Sequence, residues 1–220
     1  MNFYPRPIKL HDCSQSGIGS GAELFLVEGD SASKAVARVR NQQHQAVLPM
    51  QGKPMNAIKA SEKSITNNGL FQALVQCLGT GWADALDLSQ LRYDRIILLF
   101  DPDADGIHCG ALMTMFFHRW MPSLLQSGRL FVVRPPLYEI RSQQYSDVIH
   151  ALNDDHYRRI CSALDAKKIR FQTQRFRGLA SLGAKTLSAT CLCNETRHIQ
   201  PLRMEDAEAA IRIFGGKQSA

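Results

Sequence analysis

The chain has 220 residues, of which 45% are hydrophobic and 21% are charged, a composition typical of a globular domain with a buried core. No apolar run approaches the ~18 residues of a membrane-spanning helix, and the first residues lack the apolar segment of a secretion signal, so we expect a cytoplasmic protein without a membrane partner. The net charge of +6 favours a polyanionic partner over an acidic one, although many proteins without such a partner are equally basic.

The cysteines predict no disulfide framework. None of the six belongs to a C-x-x-C pair, and a single C-x-C, formed by Cys191 and Cys193, is weak evidence for a zinc site. Because the chain shows no secretion signal, we expect reduced thiols with structural roles.

Apolar runs and helical patterns alternate through the first two thirds of the chain. Strands are predicted at residues 24–29, 45–50, 94–100 and 129–140, and helices at 31–40, 56–65, 69–79 and 109–128. Asp30 or Ser31 is the expected N-cap of the first helix, and Pro122 should kink the last helix or start a new turn. Alternating strands and helices predict an α/β fold with a mostly parallel sheet, Rossmann-like and flanked by helices.

The pattern changes after about residue 141. The following segment predicts two short helices and one strand, and two further helices come after them. We therefore expect a lead-in at 1–22, a central α/β domain at 23–140 and a helical C-terminal extension at 141–220.

An unusual acidic motif follows the third predicted strand. Asp101, Asp103 and Asp105 occupy every second position before Gly106. A calcium-binding EF-hand is excluded because the twelfth position of such a loop is Leu112, not glutamate, and because a strand precedes the loop where an EF-hand has a helix. The aspartates thus lie at the carboxyl end of a strand, which is where open α/β sheets bind ligands.

A second acid, Glu28, ends the strand predicted at 24–28. If both strands are central and parallel, their acidic ends meet at one edge of the sheet, and a divalent cation is the natural compensation for their charge. Oxygen ligands favour Mg²⁺ or Mn²⁺, which would act on phosphate oxygens, with Glu28 as a general acid or base. The alternative is that Glu28 is a solvated strand end and that the aspartates belong to an ordinary turn.

Several segments resemble one family. "ELFLVEGDSA" and "FDPDADGIH" are similar to the Toprim domain, and specifically to the B subunit of bacterial type II topoisomerases, the gyrase and topoisomerase IV class. The likeness continues at "PIKLHDC", "QAVLPMQGKPMNAIKA", "MTMFFHRWMPSLLQSGRLFVVRPPLYEI" and "RFRGLASLGAKTLSATCLCNETR", so it covers nearly the whole chain. It implies that residues 23–140 form a Toprim domain.

This resemblance assigns roles to individual residues. Glu28 matches the catalytic glutamate, and Asp101 and Asp103 match the metal-binding aspartates, with Asp105 as the third of the set. The implied cofactor is Mg²⁺, with Mn²⁺ as the alternative, and the implied partners are DNA and a topoisomerase A-type subunit that supplies the tyrosine. The DNA-binding positions implied by the resemblance are Lys53, Asn56, Lys59, His108 and Arg177. Lys59 and His108 also fit ordinary roles in a helix.

The chain departs from the family pattern near its basic and glycine positions, whereas the carboxylates are retained. The differences are Ser33 and Lys34 in place of two glycines, Ala37 in place of lysine, Gly110 in place of arginine, and Ala180, Ser181 and Leu182 in place of Gly-Glu-Met. No ATP-binding or strand-transfer region is recognisable, so we expect a topoisomerase component that is not self-sufficient.

Two other functions stay open from the sequence. A non-catalytic regulator could bind DNA or a topoisomerase without cleaving DNA. A haloacid-dehalogenase-type phosphatase also uses D-x-D, but that pattern requires Thr or Val shortly after the second acid, where this chain has Ala104 and Asp105.

Overall fold

The computed structural model describes residues 9–216 and contains two β-sheets. The strands are β1 Glu23–Val27, β2 Gln45–Pro49, β3 Arg95–Leu98, β4 Leu130–Val133, β5 Tyr138–Ser142, β6 Ile149–Ala151, β7 Phe171–Arg175 and β8 Ile199–Pro201. The larger sheet has the order β2-β1-β3-β4-β8, in which the first four strands are parallel and β8 is antiparallel. The predicted α/β class and mostly parallel sheet are confirmed.

Helices cover both faces of the larger sheet. They are α1 Asp30–Val39, α2 Glu62–Thr66, α3 Gly69–Leu78, α4 Ala104–Trp120, α5 Pro122–Gln126, α6 Asp154–Ala166, α7 Ala184–Leu187 and α8 Met204–Phe214. On one face α3, α4 and α5 form a core around Phe71, Phe116 and Phe117. On the other face α1 and the 176–192 segment form a second core around Phe25 and Val36. Burial on both faces explains why the central strands are continuously apolar.

Two helix boundaries differ from the sequence prediction, and the expectation that Pro122 starts a new turn is confirmed. The long helix begins at Ala104, not near 109, because the side chain of Asp103 caps it and accepts a hydrogen bond from the Gly106 N–H at 2.9 Å. Pro122 starts a separate helix, α5, where its missing N–H costs nothing. The helix predicted at 56–65 is reduced to Glu62–Thr66.

The predicted N-cap of α1 was wrong by one residue. Gly29 is the N-cap, and Asp30 is the first helical residue. The Asp30 carboxylate does not bond to the helix N–H groups, since it accepts hydrogen bonds from Lys9 and Gln51 instead.

Of the two short helices predicted first after residue 141, only α6 forms, and the chain just before it forms the strand β6 instead. The same region contains a sheet that the sequence indicated only in part. β5 lies at the centre of a three-stranded antiparallel sheet with β6 and β7 as its edges. The chain then returns to the larger sheet, where Gln200 in β8 pairs with Val132 in β4. β6 and β8 have three residues each, too few for a recognisable strand pattern.

Two further expectations concern the whole chain. All six cysteines are free thiols, and four of them are buried, as the sequence predicts. Between residues 9 and 216, no helix is long and apolar enough to cross a membrane.

Candidate metal and nucleic-acid site

Two neighbouring strand ends bring Glu28 and Asp101 to one edge of the sheet. β1 and β3 are adjacent and parallel, with Leu26 paired to Leu98, and the two acids follow these strands. Both acids line an open cleft of about 500 Å³. The other walls of this acidic cleft are the first turn of α1, Gly52 and the 177–181 turn, which includes a 3₁₀ turn at Leu179–Ser181.

The two carboxylates disfavour each other's charged form. The pKa of Glu28 is raised, first by burial and then by the negative charge of Asp101, with smaller effects from Asp103 and Asp105. The pKa of Asp101 is also raised by burial and by Asp103, while a hydrogen bond from the Leu179 N–H opposes the increase. The cleft therefore has an uncompensated negative charge when both groups ionise.

The thiol of Cys109 lies beside the Glu28 carboxyl group. Burial and the neighbouring Glu28 carboxylate raise its pKa to about 11, so it stays protonated near neutral pH. As a thiol it donates a hydrogen bond to Glu28, which lowers the pKa of that carboxyl group and partly offsets the burial. The sequence analysis assigned Cys109 no role of its own among the six cysteines.

Asp103 and Asp105 have other partners and do not line the cleft. Asp103 is the N-cap of α4, and Asp105, which is 83% exposed at its side chain, forms an ion pair with Lys53 at 3.0 Å. In the part of the chain that the structure describes, no three His, Cys, Asp or Glu side chains are arranged to hold a metal ion. The structure thus brings Glu28 and Asp101 together and places the other two acids at the outer side.

Two glycines allow other backbone segments to approach Asp101 closely. A Cβ atom on Gly106 would lie 2.1 Å from the Asp101 carbonyl oxygen, and a Cβ on Gly178 would lie 2.4 Å from Asp101 Oδ2. The Leu179 N–H donates to Asp101 Oδ1 at 2.8 Å. Within "RGLASLG" the resemblance implied a role only for Arg177, so the contribution of Gly178 and Leu179 was not predicted from the sequence.

The five predicted DNA-binding residues divide into two groups. Arg177 lines the acidic cleft, and Lys53 comes directly after Gly52, which forms part of the cleft wall. Both side chains are exposed. The other three surround the C-terminal end of α8 and form, with Phe214, what we call the α8-end cluster. Its contacts are the Asn56 Nδ2 hydrogen bond to the Phe214 carbonyl at 3.0 Å, the stack of His108 on the Phe214 ring with centroids 5.0 Å apart, and the Lys59 ammonium beside Gly216.

A family comparison covers the strands that carry the acids of this site, but not the 177–181 turn. The model of the Toprim domain matches residues 23–135, which include Glu28 and all three aspartates of the motif. The chain belongs to the Toprim family. The two strand ends and the acids that follow them thus lie within the Toprim part of the chain.

Relatives of this Toprim chain extend the likeness to its C-terminal part. Two DNA gyrase B subunits, from Thermotoga maritima and Streptomyces coelicolor, are 37% identical over 208 and 211 residues, and that of Archaeoglobus fulgidus is 34% identical over 208. Each match covers 94% of this chain but only 30–32% of the relative. The chain spans about a third of the length of these relatives and corresponds to a type II topoisomerase-like Toprim module.

Proposed function

We propose that this chain is a Mg²⁺-binding module that contributes the metal half of a DNA cleavage and religation site, to which an A-type partner subunit supplies the tyrosine. The observation that carries the proposal is the pair Glu28 and Asp101, which share one cleft and have raised pKa values. Among residues 9–216, neither acid has a Lys, Arg or His in ion-pair contact, so a bound cation would supply the missing positive charge.

The donor chemistry of these residues, rather than their present arrangement, suits a hard divalent cation. All candidate ligands are carboxylate oxygens, which Mg²⁺ and Mn²⁺ prefer. Glu28, Asp101 and Asp103 would hold the ion, and Asp105 would add negative charge nearby. When bound, the ion stabilises charge on phosphate oxygens. Asp103 keeps one carboxylate oxygen outside its bond to the Gly106 N–H, so it can bind a cation and still cap α4.

Glu28 is suited to proton transfer because its pKa is raised towards neutral pH. In cleavage, the tyrosine oxygen of the partner subunit forms a bond to phosphorus while the bond to the DNA 3′ oxygen breaks. As a carboxylate, Glu28 would take the proton of the tyrosine hydroxyl and give it to the leaving 3′ oxygen, and religation would reverse both transfers. Lys53, next to Gly52 of the cleft wall, and Arg177 in the cleft are both exposed and would contact the DNA phosphates.

The metal part of the proposal is tested by Mn²⁺ titration of the full chain, followed by electron paramagnetic resonance. We expect Glu28→Gln and Asp101→Asn each to weaken Mn²⁺ binding at least about tenfold, as removal of a carboxylate ligand should. Asp87→Asn is the control, because Asp87 is an exposed carboxylate that caps a remote 3₁₀ turn. Equal affinities in all four proteins would refute a metal role for the two acids.

The DNA part is tested by a nicking assay with supercoiled plasmid, Mg²⁺ and a type II topoisomerase A subunit. We expect cleavage that requires the metal, the A subunit and Glu28. The alternative function is a non-catalytic regulator that binds DNA or the topoisomerase, which is favoured by the outward placement of Asp103 and Asp105. Binding to DNA or to the A subunit without cleavage would support this alternative.

A further inference from the structure

The 177–181 turn makes the closest backbone contact to Asp101 from another part of the chain. The Leu179 N–H donates to Asp101 Oδ1 at 2.8 Å, although the two residues are 78 positions apart in sequence. Such a bond holds one carboxylate oxygen in a fixed direction and leaves the other oxygen available to the cleft. The position of this turn therefore determines how Asp101 presents its carboxylate.

The hydroxyl of Ser181 forms three hydrogen bonds within the 177–181 turn. Ser181 Oγ accepts hydrogen bonds from the N–H groups of Arg177 and Gly178, at 3.0 and 3.3 Å, and donates to the Gly178 carbonyl oxygen at 2.6 Å. A serine hydroxyl has one donor and two acceptor sites, so its hydrogen-bonding capacity is fully used inside this turn. These bonds restrain the backbone directly before Leu179.

Apolar packing fixes the C-terminal half of the turn and the residue after it. Leu179 and Leu182 are buried in the core that α1 forms with the sheet, at 1% and 6% exposure. Gly178 separates the buried Leu179 from the exposed Arg177. It must lack a side chain, because a Cβ atom there would clash with the Asp101 carboxylate. The short stretch from Arg177 to Gly178 has only the Ser181 hydroxyl to hold its N–H groups, as far as the described hydrogen bonds show.

We propose that Ser181 is a positioning residue, which holds the 177–181 turn closed so that the Leu179 N–H meets Asp101 and Arg177 faces the cleft. The proposal deepens the proposed function and rests on it for the role of the cleft. A neutral hydroxyl closes the turn without adding a third carboxylate to a cleft whose two acids already repel each other.

The test compares Ser181→Ala with Ser181→Thr, which keeps the hydroxyl at an exposed position, in the full chain without metal. Ser14→Ala is the matched control, since Ser14 is an exposed serine whose hydroxyl makes one bond to Gln42 O far from the cleft. Amide exchange and the proton shift of the Leu179 N–H are measured by NMR. We expect Ser181→Ala to accelerate exchange at Gly178 and Leu179 about tenfold, the effect of losing about one hydrogen bond.

In the same variant the Leu179 proton should move upfield, as its bond to the carboxylate weakens, while Ser181→Thr and Ser14→Ala keep the wild-type values. Mn²⁺ affinity should fall about three- to tenfold in Ser181→Ala and recover in Ser181→Thr. Unchanged Leu179 exchange and shift in Ser181→Ala would overturn the proposal. Because these amide signals need no metal, they test the turn even if wild-type protein binds no Mn²⁺, a result that would count against the proposed function alone.

Discussion

The acidic cleft and the α8-end cluster lie on the same molecule but are held together in different ways. In the cleft, Glu28 and Asp101 follow two hydrogen-bonded parallel strands, and backbone groups close in on Asp101 from α4 and from the 177–181 turn. In the α8-end cluster, Asn56 and His108 meet Phe214 through one hydrogen bond and one ring stack.

The two regions should therefore differ in how their structure responds to a substitution. Paired strands and close backbone contacts cannot shift without breaking main-chain hydrogen bonds, so the cleft should respond to a change as a unit. Individual side-chain contacts can be lost one at a time, so the cluster should loosen locally and leave the cleft intact. Three predictions test this contrast, beginning with the largest effect.

Gly106→Ala should disrupt the cleft most strongly. Its new methyl group would lie 2.1 Å from the Asp101 carbonyl oxygen, so the backbone of the acidic loop must move. We expect a loss of about 3 kcal/mol in the free energy of unfolding, measured with urea. Gly110→Ala in the same helix is the control, because its methyl would meet only Phe100 Cδ2 at 3.7 Å. Removing a helical glycine there should stabilise by up to about 1 kcal/mol. Similar stability changes in both variants would contradict the close-contact argument.

Phe214→Ala should loosen the α8-end cluster without reaching the cleft. The variant loses the stack on His108, and we expect about 1–2 kcal/mol of destabilisation for this half-buried ring, less than for a fully buried one. Amide exchange at Ile58 and Lys59, whose N–H groups bond to Asn56 Oδ1, should accelerate, whereas the Leu179 N–H should not change.

The neighbouring Ile213 provides the control for this variant. Its side chain is 71% exposed, so Ile213→Ala should change stability by no more than about 0.5 kcal/mol. Faster exchange at Leu179 in Phe214→Ala would show that the two regions are coupled, contrary to the comparison.

The smallest effect concerns the charge of Glu28 and depends on pH. Its pKa is raised in the folded protein, so the folded state binds this proton more tightly than the unfolded state. The ionised group therefore lowers stability as pH rises above the unfolded pKa of about 4.3. Without divalent cations, Glu28→Gln should be more stable than wild type at pH 7, by less than about 1 kcal/mol because the group is partly exposed, and the difference should vanish near pH 3.5.

Thermal unfolding of wild type and of Glu28→Gln, at pH 7 and at pH 3.5, measures this difference in stability. Glu195→Gln is a control of opposite sign, because a hydrogen bond from Cys193 lowers the pKa of Glu195, so its ionised form does not destabilise the fold. A Glu28→Gln variant that is no more stable than wild type at pH 7, or that keeps its advantage at pH 3.5, would contradict the raised pKa.

The sequence predicted the regions that depend on local pattern. Continuous apolar runs indicated the four parallel strands of the larger sheet, and their acidic ends indicated that Glu28 and Asp101 would meet. Short edge strands were missed, since β8 pairs with β4 across a long stretch of chain and has little pattern of its own. The Leu179 contact was missed for a similar reason, because nothing near Asp101 in sequence indicates which distant N–H will face it.

The order of strands and helices, the mostly parallel sheet and the position of two acids at its edge were determined by the sequence itself, because apolar periodicity and strand direction are local properties of the chain. Tertiary structure alone decided which groups surround those acids and which residues gather at the end of α8. Asp103 and Asp105 share a motif with Asp101, yet Asp103 caps a helix through the nearby Gly106 N–H, whereas Asp105 pairs with Lys53 from a distant segment, a contact that the local sequence does not indicate.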